Sequence, residues 1–271
     1  MISFRRTFIA VLAWLSFASM VDAQMIVAHR GASHDAPENT LSAFRLAWQQ
    51  NADGIEGDFY LTADDHIVCI HDADTRRTAG VKKPVETSTL AELRSLEYGR
   101  WKNASFDGEP IPTLDDVIET VPDGKTIVIE LKSDASIVPR LIETIDRFQN
   151  EPIRFLVIAF DADTVAMIKK QRPKQRVHWL TGFKQSTPSA PFHPTADEIV
   201  STISRIGADG VGMQANRDVI DAAFVATMKQ GGCGEFHVWT VDAVADAKYF
   251  ADLGSIGITT NVPAVIGEGL R

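Results

Sequence analysis

Thr126-Ile127-Val128-Ile129-Glu130-Leu131-Lys132 is a β-branched and aliphatic run that turns charged only as it ends, at Glu130 and Lys132. A strand apolar on both faces is covered on both faces, the pattern of a parallel sheet between helices. Working outward, runs that begin at Met25, Asp53, Arg154, Arg176, Gly210, Phe236 and Ile256 repeat it. Helical spacing fills the gaps: residues 40–50 place Leu41, Phe44, Ala47 and Trp48 on one face. Thr113 caps a helix predicted over 113–121, with Asp115 and Asp116 in its first turn. Eight strands alternating with helices in about 250 residues predict a (β/α)8 TIM-type barrel. An open doubly wound sheet would carry a glycine-rich loop after its first strand, and His29-Arg30-Gly31-Ala32-Ser33 is not one. Residues 73–112 break the alternation with Gly80, Pro84, Gly99, Gly108, Pro110 and Pro112. They predict a small insertion after the second strand that caps one barrel end, without a second domain.

The chain has 271 residues, 45% hydrophobic and 23% charged, which is globular and excludes disorder. With 36 acidic and 27 basic side chains its net charge is −9, which excludes a nucleic-acid partner held by a broad basic face. Residues 1–23 read as a signal peptide: Arg5 and Arg6, an apolar stretch over 7–19, then Val21-Asp22-Ala23 before Gln24. Arg5-Arg6-Thr7-Phe8-Ile9 also looks like a twin-arginine signal. The apolar stretch falls short of the ~20 residues a spanning helix needs. The expected mature chain is therefore 24–271, exported to a periplasm or secreted, with no membrane span. Cys69 and Cys233 abut strand-like runs, which predicts two separate buried thiols.

Residues i and i+2 of a strand face one side, so Glu56 and Asp58 point together, as do Glu130 and Lys132. His29 ends the first strand and His71 ends the extended run after the second. In a barrel all of these meet at the C-terminal mouth. Three converging carboxylates do not stay ionised together without a cation, and all-oxygen ligation favours Ca²⁺ or Mg²⁺. Each residue alone is weak: a Glu-x-Asp pair is common on surfaces, and Phe236 and Trp239 read first as core.

The motifs His29-Arg30-Gly31, Pro37-Glu38-Asn39-Thr40, Glu56-Gly57-Asp58, His71-Asp72 and Glu130-Leu131-Lys132 stand in the order and spacing of the glycerophosphodiester phosphodiesterases. Trp239-Thr240-Val241-Asp242 and Thr260-Asn261-x-Pro263 resemble that family too, so the likeness spans the expected mature chain. The resemblance implies a TIM-type barrel that hydrolyses small-molecule glycerophosphodiesters, such as glycerophosphocholine, to sn-glycerol 3-phosphate and an alcohol. It implies one divalent cation, Ca²⁺ or Mg²⁺, on Glu56, Asp58 and Glu130. It implies His29 as base and His71 as acid, Arg30 and Lys132 on the phosphate, and Trp239 on the glycerol side. Gly57 and Val262 depart from the pattern, the first where a larger side chain is usual. Two other readings are a lysophospholipase D-like enzyme, with Trp101, Phe106 or Phe183 as lipid platform, and a non-catalytic phosphodiester-binding barrel. The last would be expected to have lost one of His29, His71, Glu56, Asp58 or Glu130, and all five are present.

Overall fold

The structure, a computed structural model, describes residues 24–271; the leader expected over 1–23 lies outside the described residues. The strands are β1 (Met25–His29), β2 (Gly54–Leu61), β3 (Ile67–Cys69), β4 (Thr126–Leu131), β5 (Arg154–Ala159), β6 (Val177–Thr181), β7 (Gly210–Gln214), β8 (Phe236–Trp239) and β9 (Gly257–Thr260). All but β3 are parallel, and β1 pairs with both β2 and β9, which closes an eight-stranded barrel. Each barrel strand begins within one residue of the position read from its apolar run.

Helices cover the outside: α1 (Leu41–Gln49), α2 (Arg76–Ala79), α3 (Leu90–Arg94), α4 (Leu114–Ile118), α5 (Val138–Arg147), α6 (Ala162–Gln171), α7 (Ala196–Ile206), α8 (Ala222–Gln230), α9 (Val244–Asp252) and α10 (Pro263–Leu270). Thr113 caps α4 with its hydroxyl on the Asp116 amide, and Asp116 returns a bond to the Thr113 amide. Thr40 caps α1 in the same sense. Two apolar cores fill the space between strands and helices, one around Phe44, Phe59 and Ile127, the other around Ile199, Phe236 and Phe250. Among the described residues no helix is long and apolar enough to cross a membrane.

The insertion starts earlier than residue 73. The end of β2 runs past its parallel neighbour, and an edge that long needs a partner. β3 doubles back and pairs antiparallel with Phe59, Tyr60 and Leu61. The segment that follows has a small core of its own, with Val68, Val85, Leu93, Tyr98 and Ile111. His71 therefore reaches the barrel mouth from this segment, beyond an antiparallel strand.

Inside the barrel, Val27, Val128, Leu156, Ile158 and Leu180 form an apolar layer. One part of the interior is polar. His178 on β6 and His237 on β8 are buried, stacked at 5.3 Å, with their Nδ1 atoms 3.1 Å apart. His178 Nε2 lies 3.2 Å from a Glu235 carboxylate oxygen, which only accepts, so His178 donates there and takes the Nδ1 proton of His237. Between the two strands, β7 supplies Gly210 and Gly212. A Cβ on Gly212 would lie 2.4 Å from His237 Nε2, and one on Gly210 2.8 Å from His178 Nε2. Among the described residues Cys69 and Cys233 are both buried and form no disulfide.

Candidate active site

The first side chains of the site are set by a tight turn after β1. Arg30 and Gly31 both have positive φ, 57° and 78°. The Ala32 amide donates to the Ala43 carbonyl, drawing the turn onto α1. A Cβ on Gly31 would meet the Ala43 carbonyl carbon at 2.6 Å. Gly31→Ala therefore meets both left-handed strain and backbone collision, and a loss of at least ~1–2 kcal/mol is expected, read as a lower melting temperature.

Arg30 is half-buried at the mouth. Its backbone amide donates to Glu56 Oε2 (2.9 Å), and its guanidinium donates to Glu38 (2.9 Å) and lies 3.2 Å from Asp58 Oδ2. Glu38 is also clasped by Arg77, which reaches on to Asp72. Asn39, itself at φ 59°, braces Asp58 from two sides. Its Nδ2 donates to Asp58 Oδ2 (2.9 Å), and its Oδ1 accepts from the Asp58 amide (3.2 Å). The Pro37–Thr40 motif thus holds an arginine, a carboxylate and a helix start.

Glu56, Asp58 and Glu130 are 2%, 1% and 9% exposed, and they offer oxygens that lie within 4.8 Å of one another. Burial, with Asp58 and Glu130 beside it, pushes the Glu56 carboxyl well above the usual carboxylate range. Burial and Asp58 raise Glu130 to about 7, against the pull of Lys132, which donates to Glu130 at 2.8 Å. Burial raises Asp58 as well, but Arg30 and Lys132 outweigh it and hold its carboxyl below the usual range. Lys132 Nζ stands 3.4 Å from Asp58 Oδ1, an ion-pair distance without hydrogen-bond alignment. Glu56 Oε1 and Asp58 Oδ1 are buried and take no hydrogen bond among the described residues. Buried carboxylate oxygens with nothing to accept, in a trio that repels itself, fit a divalent cation.

The two histidines are held alike. His29 Nδ1–H donates to Asn261 Oδ1 at 2.8 Å, and Asn261 is fixed in turn by Nδ2 on Asp242 at 2.7 Å. Asp242 also accepts from the Asn261 amide and the Thr260 hydroxyl. His71 Nδ1–H donates to Asp72 at 2.7 Å. In both rings these bonds commit Nδ1 and leave Nε2 out of them. Burial and the Arg30 charge hold His29 below the usual histidine range, so it is neutral at pH 7. Replacing Asn261 with Ala frees the ring to change tautomer and is expected to lower kcat about tenfold, the worth of one hydrogen bond. Its kcat should fall more than its KM rises.

His29, Arg30, Glu56, His71, Glu130, Lys132 and Trp239 all line one cavity of about 170 Å³, with Asp58 buried against it. The structure so brings together the residues that the resemblance assigns to the cation, the phosphate, the proton transfers and the glycerol side. Trp239 lines this cavity and is half-exposed, whereas Phe236 is core, so the two aromatics grouped as core part company. Ile158, Phe160, Leu180, His237, Thr240 and Thr259 complete the lining, and the sequence assigns none of these side chains a part. Gly57 leaves its slot to Phe44 and Cys69, whose atoms stand 3.1 and 3.0 Å from where its Cβ would be. The lipid platform imagined from Trp101, Phe106 and Phe183 does not gather: Phe183 is buried against Phe224 in the second core, while Trp101 and Phe106 belong to the insertion.

The comparisons agree with the geometry. Residues 29–265 match the model of the glycerophosphoryl diester phosphodiesterase family. A glycerophosphodiester phosphodiesterase of Caldanaerobacter subterraneus is 32% identical over 247 residues, 89% of this chain and 96% of its own. One from Bacillus subtilis is 25% identical over 258 residues, 89% and 85% of the two chains. An Oleispira antarctica phosphodiesterase, solved with its product sn-glycerol-3-phosphate, shares the fold with a TM-score of 0.80 at 24% identity, over 92% of this chain and 97% of that one. The chain belongs to the glycerophosphoryl diester phosphodiesterase family of phosphoric-diester hydrolases.

Proposed function

We propose that the protein hydrolyses glycerophosphodiesters to sn-glycerol 3-phosphate and an alcohol with the aid of one Ca²⁺ or Mg²⁺ ion. The observation that carries this is the buried trio Glu56, Asp58 and Glu130 beside two histidines whose Nδ1 atoms are both committed. The three carboxylates would hold the cation, which when bound supplies Lewis-acid neutralisation of the phosphate oxygens. Arg30 offers a planar fork and Lys132 a point charge to the same oxygens. His29 accepts at Nε2 the proton of the attacking oxygen, from water or the glycerol 2-hydroxyl. A new P–O bond forms, the P–O bond to the alcohol breaks, and His71 delivers a proton from Nε2 to the departing oxygen. Attack by water gives sn-glycerol 3-phosphate at once; attack by the 2-hydroxyl gives a cyclic phosphate, which a water molecule then opens to the same product by breaking its P–O bond to the 2-oxygen. Trp239 Nε1–H is buried and has no acceptor among the described residues, which supports a place for it on a glycerol oxygen. Export of the mature chain to a periplasm or the medium, after removal of residues 1–23, completes the reading. It is tested by N-terminal sequencing of the protein recovered outside the cytoplasm.

The direct test is release of glycerol 3-phosphate from glycerophosphocholine and glycerophosphoethanolamine by the mature chain, with EDTA, Mg²⁺ and Ca²⁺ in parallel. Release that EDTA abolishes and one cation restores is expected; no release with any cation overturns the reading.

The cation should also reverse a pH trend. A carboxyl raised in the folded state, as Glu130 is to about 7, is content while protonated and opposes folding as it ionises. Its contribution is therefore present below the ordinary carboxylate range and lost as pH climbs through about 7. A bound cation needs the ionised form. The rise in melting temperature on adding Ca²⁺ or Mg²⁺ is thus expected to be larger at pH 8 than at pH 5.5, measured against EDTA at each pH.

A further inference from the structure

The bonds on the two histidines are alike, but their anchors are not. Asn261 and Asp242, which hold His29, belong to the barrel and follow β9 and β8. His71 stands in the insertion, and its partner Asp72 stands there with it. The backbone ties this segment to the barrel at Ile70, whose amide donates to the Asp58 carbonyl at 2.9 Å. That tie ends one residue short of the ring. Beyond it a side chain has to bridge the seam.

Arg77 of α2 does so. Its Nε donates to Asp72 Oδ2 (2.7 Å) and its Nη1 to Glu38 Oε2 (2.8 Å), while Nη2 reaches Glu38 Oε1 (2.8 Å) and Asp72 Oδ1 (3.3 Å). Among the described residues the Asp72 carboxylate bonds to His71 and Arg77 and to nothing else. Glu38, in the loop between β1 and α1, has a side chain only 13% exposed and also takes Arg30. Charges therefore alternate along Asp72, Arg77, Glu38, Arg30 and Asp58, from the insertion to the floor of the mouth. A single exposed ion pair is worth little. Here all three nitrogens of one planar fork are engaged across two carboxylates, which fixes an orientation as well as a charge. Bonds from Arg77 and His71 hold the Asp72 carboxyl down to about 2, so Asp72 stays the anion that the His71 N–H needs. Thr78, next on α2, is buried and lines a small cavity with Glu38, Asn39 and His71, so the helix sits in the seam itself.

We propose that Arg77 is a positioning residue for the proton of the departing alcohol: through Glu38 it fixes the His71–Asp72 dyad of the insertion against the barrel. As the P–O bond to the alcohol breaks, the His71 Nε2 proton passes to the departing oxygen, and Arg77 keeps the ring aimed at it. The inference rests on the hydrolytic reading above and adds to it the residue that aims its proton donor.

The test uses two diesters of glycerol 3-phosphate that differ in what the departing oxygen needs. Choline leaves as an alkoxide and has to be protonated; para-nitrophenol leaves as a phenolate whose ring spreads the charge, and needs no donor. Release of each leaving group by the mature, cation-loaded enzyme is followed as kcat/KM, and the readout is the ratio of the choline ester to the nitrophenyl ester. Losses that pass through Arg30 or through the fold strike both esters and cancel in that ratio. In Arg77→Ala the ratio is expected to fall about tenfold, the scale of one charge-assisted hydrogen bond, and in His71→Ala further. Arg77→Lys keeps a donor for one carboxylate but no fork, and should fall between Arg77→Ala and the parent. Arg94→Ala, which severs another ion pair between the insertion and the barrel, on Asp116, should leave the ratio unchanged. Arg77→Met, which keeps the aliphatic stem, gives a second reading should Arg77→Ala fail to fold. A ratio that Arg77→Ala and Arg77→Met leave unchanged, that His71→Ala leaves unchanged, or that Arg94→Ala lowers as much, overturns the assignment. Failure of the parent to cleave either ester instead overturns the hydrolytic reading beneath it.

Discussion

Replacing His29 or His71 with Ala is expected to lower kcat for glycerophosphodiester hydrolysis by about 10²–10⁴-fold each, with the barrel intact. Neither ring takes part in the apolar layers that hold the barrel together. In the proposed reaction the two act on the same transition state, one at the attacking oxygen and one at the departing oxygen. Their losses should not multiply: the double variant is expected to resemble the worse single one. The two variants differ in one diagnostic way. His29 must be neutral to accept a proton, and burial with the Arg30 charge keeps it so below the ordinary histidine range. Loss of activity on acidification should therefore set in at a lower pH than free imidazole would give, and this limb should vanish in His29→Ala. Thermal melts that match the parent, together with cation-dependent stabilisation, would show that chemistry alone was removed. More than about one per cent residual activity in both variants would sink the acid–base assignment.

Glu56→Gln separates holding the cation from holding the fold. Without a cation the ionised Glu56 carboxylate is repelled by Asp58 and Glu130 in a place where burial already penalises its charge. Gln keeps an oxygen to accept from the Arg30 amide, so the turn after β1 has no reason to open. In EDTA at pH 8 the variant should then melt higher than the parent, by roughly 2–4 °C for each kcal/mol of repulsion relieved. The same substitution removes one of three anionic ligands. Added Ca²⁺ or Mg²⁺ should no longer raise its melting temperature, and activity should fall at least ~10²-fold, since a cation in this role supplies several kcal/mol. A variant more stable than its parent without cation, and inert with it, identifies the trio as a site built around an ion. Undiminished cation-dependent stabilisation in Glu56→Gln would remove Glu56 from the ligand set.

Much of this was legible in the sequence, for definable reasons. Strands that are apolar on both faces mark themselves, and the barrel's eight starts fell within a residue of where those runs begin. The i, i+2 rule put Glu56 with Asp58, and the barrel then had only one place to gather strand-end charges. What stayed hidden depends on closure of the barrel or on a change of strand direction. The Asn261 bond to His29 links residues 232 positions apart, through the pairing of the last strand with the first. Phe160 follows β5 directly and looks like any strand-end apolar residue until β8 brings Trp239 against it. The extended run that ends at His71 is legible as extended, yet nothing local says that it turns back on β2, so the sequence marks the insertion only from residue 73. His71-Asp72 is the exception: neighbours in sequence and partners in space, a dyad that the sequence already spelled out.

The glycines of β7 and the histidines that flank them carry a consequence for how this barrel can change over evolutionary time. Gly210 and Gly212 are the mould into which the His178 and His237 rings are cast, and each ring completes the other's hydrogen bonding. None of the four positions can drift alone. A methyl at 212 evicts the ring at 237; an aliphatic residue at 237 leaves the Nδ1 of 178 facing nothing. Relatives of this chain should therefore keep all four residues or lose them together, so that an alignment would show positions 178, 210, 212 and 237 inherited as one allele-like block inside an otherwise freely varying wall.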